Sequence, residues 1–346
     1  MSNARGEQPI EEHPLISVII PMRNEELYIE RCVASLVAQD YPASRLEILF
    51  VDGSSTDATR AIVRDYCSRF SHLRLLENPR RVVPTALNIG LREAKGEIIV
   101  RVDGHCVLAP DYVSRCVERL QRTDAANVGG PMRAAGDGWL AAAIALATSS
   151  RFGIGNARFH YSNEEEYVDT VYLGAYRREV FDRIGLFDEE LVRNQDDEFN
   201  YRLRAAGGKI LLSPAIRSQY FGRHRLRDLF RQYFQYGLWK VRVAQKHPRS
   251  LLPRHLVPGL FVLGVGGFVL AGTFSRWARL VLAAVGGAYL TAATVFAARA
   301  VAGRDRRLLP ATVAAFLCLH FGYGSGFLAG LARLLRTRGR LWISGR

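Results

Sequence analysis

At 346 residues the chain has room for one large domain with an appendage, or for two modest domains. Its formal charge of +14 and pI near 9.9 point to a polyanionic partner such as nucleic acid, an acidic membrane surface or phosphorylated ligands. Five scattered cysteines (Cys32, Cys67, Cys106, Cys116, Cys318), none in a Cys-x-x-Cys pair, exclude a disulfide framework or structural zinc site and indicate a reducing compartment.

Residues 1–14 form a polar, acid-bearing tail unlike a signal peptide, which keeps the first large domain cytoplasmic. A first strand covers residues 15–20 and stops at Pro21. Asn24 is placed to cap the next helix, with Glu25 and Glu26 in its first turn. A second buried strand, 46–51, closes at Asp52-Gly53-Ser54-Ser55, and a helix follows over about 56–69. A short strand at 73–76 precedes a helix that Pro84 starts. The run Glu97-Ile-Ile-Val-Arg-Val-Asp103-Gly104-His105 reads as a central buried strand that breaks at two potential metal ligands. Side chains two apart on an extended segment point the same way, so Asp103 and His105 can face one ion. This alternation predicts an α/β fold, a doubly wound parallel sheet over 15–222. Ligands of such sheets bind beyond the carboxyl ends of the strands, where Asp52, Asp103 and the Pro21-Met-Arg-Asn24 loop converge. Neither a Gly-x-Gly-x-x-Gly fingerprint nor a P-loop is present, so a metal at Asp103 and His105 takes the charge-neutralising role.

Asn194-Gln195-Asp196-Asp197-Glu198 opens a helix with more carboxylates than a cap requires, which suggests that one is a general base. Residues 223–250 read as a basic amphipathic helix lying in a membrane interface, with Arg225, Arg227, Arg231, Lys240, Arg242 and Lys246 among aromatics. Nucleic acid is the weaker partner for that helix, because three apolar stretches follow at 256–274, 280–298 and 308–331, within a membrane region over 251–346. Two or three of them span. The third, with His320, Gly322, Gly324, Ser325 and Gly326, reads as a span or as a re-entrant hairpin. Three spans with the first domain inside would place the basic run Arg333, Arg336, Arg338, Arg340 outside, against the positive-inside tendency, so topology stays open.

Several pieces together resemble the family 2 glycosyltransferases, inverting enzymes of the GT-A fold, and among them the bacterial exopolysaccharide subgroup with the succinoglycan glucosyltransferases. The pieces are Val18-Ile-Ile-Pro21-Met-Arg-Asn24-Glu25, Val51-Asp52-Gly-Ser-Ser-Thr-Asp57, Ala86-Leu-Asn88-Ile-Gly90, Asp103-Gly-His105, Gly174-Ala-Tyr-Arg-Arg and Gln195-Asp196-Asp197. The resemblance implies a membrane-bound transferase using a nucleotide-sugar donor, with UDP-sugars favoured. Its acceptor would be the hydroxyl of a lipid-linked saccharide or growing polysaccharide, and its place the inner membrane, in contact with membrane lipids. By the same resemblance Asp52 meets the base, with Pro21, Arg23, Asn24 and Glu25 around it, and Asn88 belongs to the donor side. Asp103 reaches the ribose and, with His105, a divalent cofactor, manganese or magnesium. Asp196 is the base, while Asp197, Gln235 and Trp239 serve the acceptor. His105 stands where the family has a second aspartate, and Leu238 stands where Gln-x-x-Arg-Trp has its arginine, which argues against processive polymerisation. Direct transfer to polyprenyl phosphate is the near rival; a catalytically silent membrane scaffold or sugar-nucleotide sensor is the rival of another class.

Overall fold

The computed structural model describes residues 13–337, so the polar tail through residue 12 and the arginines Arg338 and Arg340 lie outside the described residues. The chain divides into two compact units. One holds the chain up to Pro131 with Ser162–Phe187 and Phe199–Gln219; the other holds Met132–Tyr161, Asp188–Glu198 and the chain from Tyr220 onward. The contiguous division expected from sequence, 15–222 followed by 223–250 and 251–346, thus differs at residues 132–161, 188–198 and 220–222, which group with the helical unit.

The first unit is built on an eight-stranded sheet. Its strands are β1 (Ile16–Met22), β2 (Leu46–Asp52), β3 (Leu73–Glu77), β4 (Ile98–Arg101), β5 (Ala125–Gly130), β6 (Glu166–Tyr167), β7 (Tyr172–Arg177) and β8 (Lys209–Leu212). Their spatial order is β3-β2-β1-β4-β7-β5-β8-β6. Branched residues on both faces of β1, β2 and β4 are fully buried, as strands covered on both sides require. β1 pairs in parallel with β2 and β4, so the order of connection reverses at β1. That reversal opens a crevice beyond the carboxyl ends of these strands.

Two details differ from the sequence reading. β1 runs through Pro21 to Met22 rather than stopping before it. The carbonyl of Ile19 bonds to Val102 on the β4 side and that of Met22 to Gly53 on the β2 side. Pro21 therefore turns its missing N–H toward the β4 side, past the last β1–β4 pair at Ile19 and Arg101, and removes no ladder bond. The sheet is also mixed, not parallel throughout. β7 lies antiparallel between β4 and β5, and β6 lies antiparallel to β8. Such pairing is set by contacts between distant segments, which local periodicity does not encode.

In the second unit the basic helix runs over Leu226–Lys246, and among the described residues three helices are long and apolar enough to cross a membrane: Pro253–Ala271, Arg276–Val301 and one from Leu308. The first two carry large exposed side chains such as Leu260, Leu270 and Trp277, a surface suited to lipid. The third is one continuous helix over Leu308–Thr337, not a re-entrant hairpin. Its glycines serve close packing instead. A methyl group added at Gly326 would sit 1.9 Å from the Phe234 carbonyl oxygen, and one at Gly324 would sit 2.3 Å from that of Pro258. Small residues let helix backbones approach in this way within membranes. His320 is also accounted for locally. Its Nε2 donates to the Phe152 carbonyl at 2.8 Å, and its Nδ1 pairs with the Tyr289 hydroxyl at 2.8 Å.

Candidate active site

The donor-side residues expected from sequence sit in the first unit, on the loops that leave β1, β2 and β4. Asn24 does not cap a helix, because the helix after β1 starts only at Ile29 with Tyr28 before it. Asn24 instead adopts a left-handed backbone (φ 55) and reaches the loop after β2. Its N–H donates to Ser55 Oγ at 3.0 Å, and its Oδ1 accepts from the Thr56 N–H at 2.9 Å. Asparagine is among the few side-chain-bearing residues that tolerate this conformation. The Glu25 N–H adds a 2.7 Å bond to Thr59 Oγ1, and Arg23 packs over Gly53. Two loops are thereby fastened into one edge, with Pro21 and Met22 as the stem of the first.

Asp52 ends β2 and is buried. Its Oδ1 accepts from Ser55 Oγ at 2.5 Å and from the Ser55 N–H at 3.1 Å, and Arg60 Nη1 lies 3.5 Å from Oδ2. Arg60 also pairs with Glu77 at the end of β3. The carboxylate thus shapes the loop that would cradle a base, and sequence reasoning missed the partners Ser55 and Arg60 that aim it.

Asn88 is placed differently from the other donor candidates. Only 2% exposed, it clamps the Phe187 backbone: Nδ2 donates to the carbonyl at 2.9 Å, and Oδ1 accepts from the N–H at 3.0 Å. Replacing Asn88 by alanine orphans both backbone groups, and the expected loss is about 1–3 kcal/mol of stability. Thermal melts of the detergent-solubilised protein should show it, with donor affinity preserved in the fraction that stays folded.

Beyond β4 lies the possible metal centre. The Asp103 carbonyl accepts from the Cys106 N–H at 3.2 Å and the Cys106 thiol at 3.0 Å, which fixes the turn. Burial pushes that thiol well above the usual range, so it stays protonated and structural. Asp103 Oδ1 accepts from Arg101 Nη2 at 3.0 Å and Nε at 3.3 Å. An arginine in an otherwise apolar strand was the available sequence signal for this partner. His105 Nδ1 lies 3.1 Å from Glu25 Oε1. An ionised carboxylate can only accept, so the hydrogen of this bond lies on Nδ1. Metal-bound histidines characteristically hold a carboxylate on the other ring nitrogen. The pair Asp103 and His105 therefore fits a divalent ion that takes its other ligands from substrate and water. Among the described residues no group of three or more His, Cys, Asp or Glu side chains could hold a metal by itself.

The base candidates lie in the second unit. Asp196 and Asp197 stand in the first turn of the helix Gln195–Ala205, where Asp196 Oδ1 accepts from the Asp197 N–H at 2.9 Å. Asp197 Oδ2 is 2.5 Å from Nζ of the buried Lys240. Glu198 pairs with His247 at 2.9 Å, Glu190 with Arg242 at 2.8 Å and with Lys246 at 2.6 Å, and Asp188 with Lys246. Lys240, Arg242 and Lys246, read from sequence as membrane-interface charges, thus turn toward protein acids. Trp239 is 5% exposed, packed in a cluster with Leu191 and Val243, and donates its indole N–H to Gln235 at 3.1 Å. The two expected acceptor residues Gln235 and Trp239 are therefore bonded to each other beside the acidic segment.

Comparison with known proteins adds a consistent set of similarities. Residues 17–185 match the family described as Glycosyl transferase family 2. Succinoglycan biosynthesis protein ExoA of Rhizobium meliloti is 29% identical over 317 residues, 90% of this chain and 93% of that protein. A Methanococcus voltae enzyme, dolichyl N-acetyl-alpha-D-glucosaminyl phosphate 3-beta-D-2,3-diacetamido-2,3-dideoxy-beta-D-glucuronosyltransferase, is 31% identical over 239 residues, 67% of this chain and 74% of its own length. Among solved structures, a mannosyltransferase from Pyrobaculum calidifontis in complex with GDP-Man and Mn2+ superposes with a TM-score of 0.59 at 22% identity, covering 88% of this chain and 86% of that one. That likeness concerns the fold.

Proposed function

The chain belongs to glycosyl transferase family 2, and from that premise we propose an inverting, metal-dependent enzyme that moves a sugar from a nucleoside diphosphate, by preference a uridine one, onto a hydroxyl of a lipid-linked saccharide. It is related to exopolysaccharide and lipid-linked glycosyltransferases and carries three apolar C-terminal helices. The working orientation is an inner-membrane anchor with the sheet-bearing unit in the cytoplasm.

The observation that supports this reading is the Glu25–His105 pair beside Asp103, a carboxylate–histidine arrangement of the kind that orients metal-bound histidines. Asp52 and the Pro21, Arg23, Asn24, Glu25 loop would hold the nucleotide, and Asp103 the ribose. Asp103 and His105 would hold a divalent ion, which would supply positive charge against the charge that develops on the departing diphosphate; the structural neighbour from Pyrobaculum calidifontis is in complex with GDP-Man and Mn2+. Asp196 takes the acceptor proton as the hydroxyl oxygen bonds to the anomeric carbon and the sugar–phosphate bond breaks, so one displacement inverts the centre. Nucleotide diphosphate leaves with the bonding pair.

The name of the Methanococcus voltae relative describes transfer to a dolichyl-phosphate-linked sugar, which supports a saccharide acceptor over bare polyprenyl phosphate. A panel of nucleotide sugars supplied to isolated membranes with manganese tests the whole reading. One donor should release its nucleotide diphosphate and lengthen a lipid-extracted glycan. A sugar monophosphate lipid as product would favour the polyprenyl-phosphate alternative, and no turnover of any donor would favour a scaffold or sensor.

A further inference from the structure

The segment from Asp188 to Glu198 is acidic, and it lies along one face of the basic helix Leu226–Lys246. Asn194 Nδ2 donates to the Tyr236 carbonyl at 2.9 Å, Asp197 meets Lys240, Leu191 packs with Val243, and Glu198 meets His247. Positions 236, 240, 243 and 247 are spaced by four, three and four, which places them on one side of a helix. Arg242 and Lys246 extend the same contact to Glu190 and Asp188. Asn194 is itself held in a left-handed backbone (φ 61), so the chain is turned into the helix start by its anchor on Tyr236.

Lys240 sits at the centre of this face with a side chain only 3% exposed, and among the described residues Asp197 is its hydrogen-bonding partner. The other charged or titratable groups nearby come from two helices. Arg254 and His255 lie at the start of Pro253–Ala271, with His255 within electrostatic reach of Lys240, and Tyr323 of the third apolar helix is within reach of Asp197. Arg254 adds a second cation, so Asp197 is the negative charge that balances the buried ammonium. If Asp197 accepted a proton, that ammonium would be left buried without its counter-charge, an arrangement proteins avoid. The adjacent Asp196 is under no such constraint from Lys240.

We propose that Lys240 is a positioning residue of the transfer reaction: by committing Asp197 to an ion pair with its own buried ammonium, it fixes the helix start and leaves proton abstraction to Asp196. The proposal rests on the reading of Asp196 as the base. Lys240 touches neither substrate nor reacting atoms in this role. It works through Asp197, whose unpaired carboxylate would otherwise compete with Asp196 for the acceptor hydroxyl and pull the helix start out of place.

The test is a set of variants of the full-length protein in native membranes: Lys240→Met, Lys240→Arg, Asp197→Asn, the double Lys240→Met/Asp197→Asn, and Asp196→Asn. Lys240→Met should lower kcat by about 10²-fold, the order expected when a catalytic group is displaced by an ångström, with little change in donor KM. Lys240→Arg keeps the charge and should retain most of the turnover. Asp197→Asn leaves the buried ammonium without its counter-charge and should cost at least as much as Lys240→Met, and the double variant should recover roughly tenfold of the Lys240→Met loss, because neither charge is then left unpaired. A purely structural lysine would lower the yield of folded protein and its melting temperature in Lys240→Met but leave kcat per folded molecule at the wild-type level. Wild-type kcat in Lys240→Met, a loss confined to KM, or absence of rescue overturns the proposal. Collapse in Asp197→Asn with normal turnover in Asp196→Asn overturns the base assignment instead, so the two failures are distinguishable.

Discussion

Asp196→Asn should abolish turnover almost completely while donor binding stays near the wild-type level. The substitution keeps the side chain's shape and an oxygen that can still accept from the Asp197 N–H, so the first turn of the helix Gln195–Ala205 should remain as it is. It removes the capacity to take a proton. General base assistance is typically worth ~10²–10⁴-fold, and the loss in kcat should fall in that range. Because the donor-side loops belong to the other unit and contain none of the altered atoms, nucleotide affinity serves as the internal control. Calorimetric titration with donor and a membrane assay for nucleotide release separate the two quantities. Equal loss of binding and turnover would mean that Asp196 acts on donor affinity or folding. Near-wild-type turnover would remove it from the chemistry.

Which parts of this site could be read from sequence follows from how local their causes are. The buried strands were legible because runs such as Ile98-Ile-Val have one physical explanation, and the end of that run was legible because Asp103, Gly104 and His105 interrupt it. Asn24 was misplaced because a short amide suits a helix cap and a loop brace equally well, and only the position of Ser55 and Thr56 decides between them. The antiparallel entry of β7 depends on partners 75 to 79 residues away, Val100 with Ala175 and Ile98 with Arg177, so nothing local announces it. Lys240 shows the same limit in side chains. In sequence it is one more cation on a basic helix, and only its pairing with Asp197, 43 positions earlier, removes it from the membrane-facing set. The glycines of the last helix were visible, but they read as breaks until the Phe234 and Pro258 carbonyls were seen against them.

His105→Ala should sharply raise the divalent metal concentration needed for half-maximal activity, and His105→Asp should retain activity with its preference moved toward magnesium. Both expectations follow from the ring's orientation. Glu25 Oε1 at 3.1 Å accepts the hydrogen of Nδ1, so that Nε2 would be the atom to bind a metal under the proposed function. Imidazole nitrogen suits manganese and related transition ions, whereas magnesium prefers oxygen donors, so a carboxylate at this position changes selectivity more than it changes rate. Alanine leaves Asp103 as the one protein ligand of the pair, already held on Oδ1 by Arg101. Loss of an outer-shell partner of a metal-bound histidine typically costs about 10–100-fold in metal affinity, and Glu25→Gln should fall in that range. Loss of the ligand itself should cost at least as much. Manganese titrations followed by paramagnetic resonance give these affinities without relying on turnover, and donor binding measured in chelator should hardly change in either His105 variant. An unchanged metal requirement in His105→Ala would leave His105 as a brace that holds Glu25 and its loop in place.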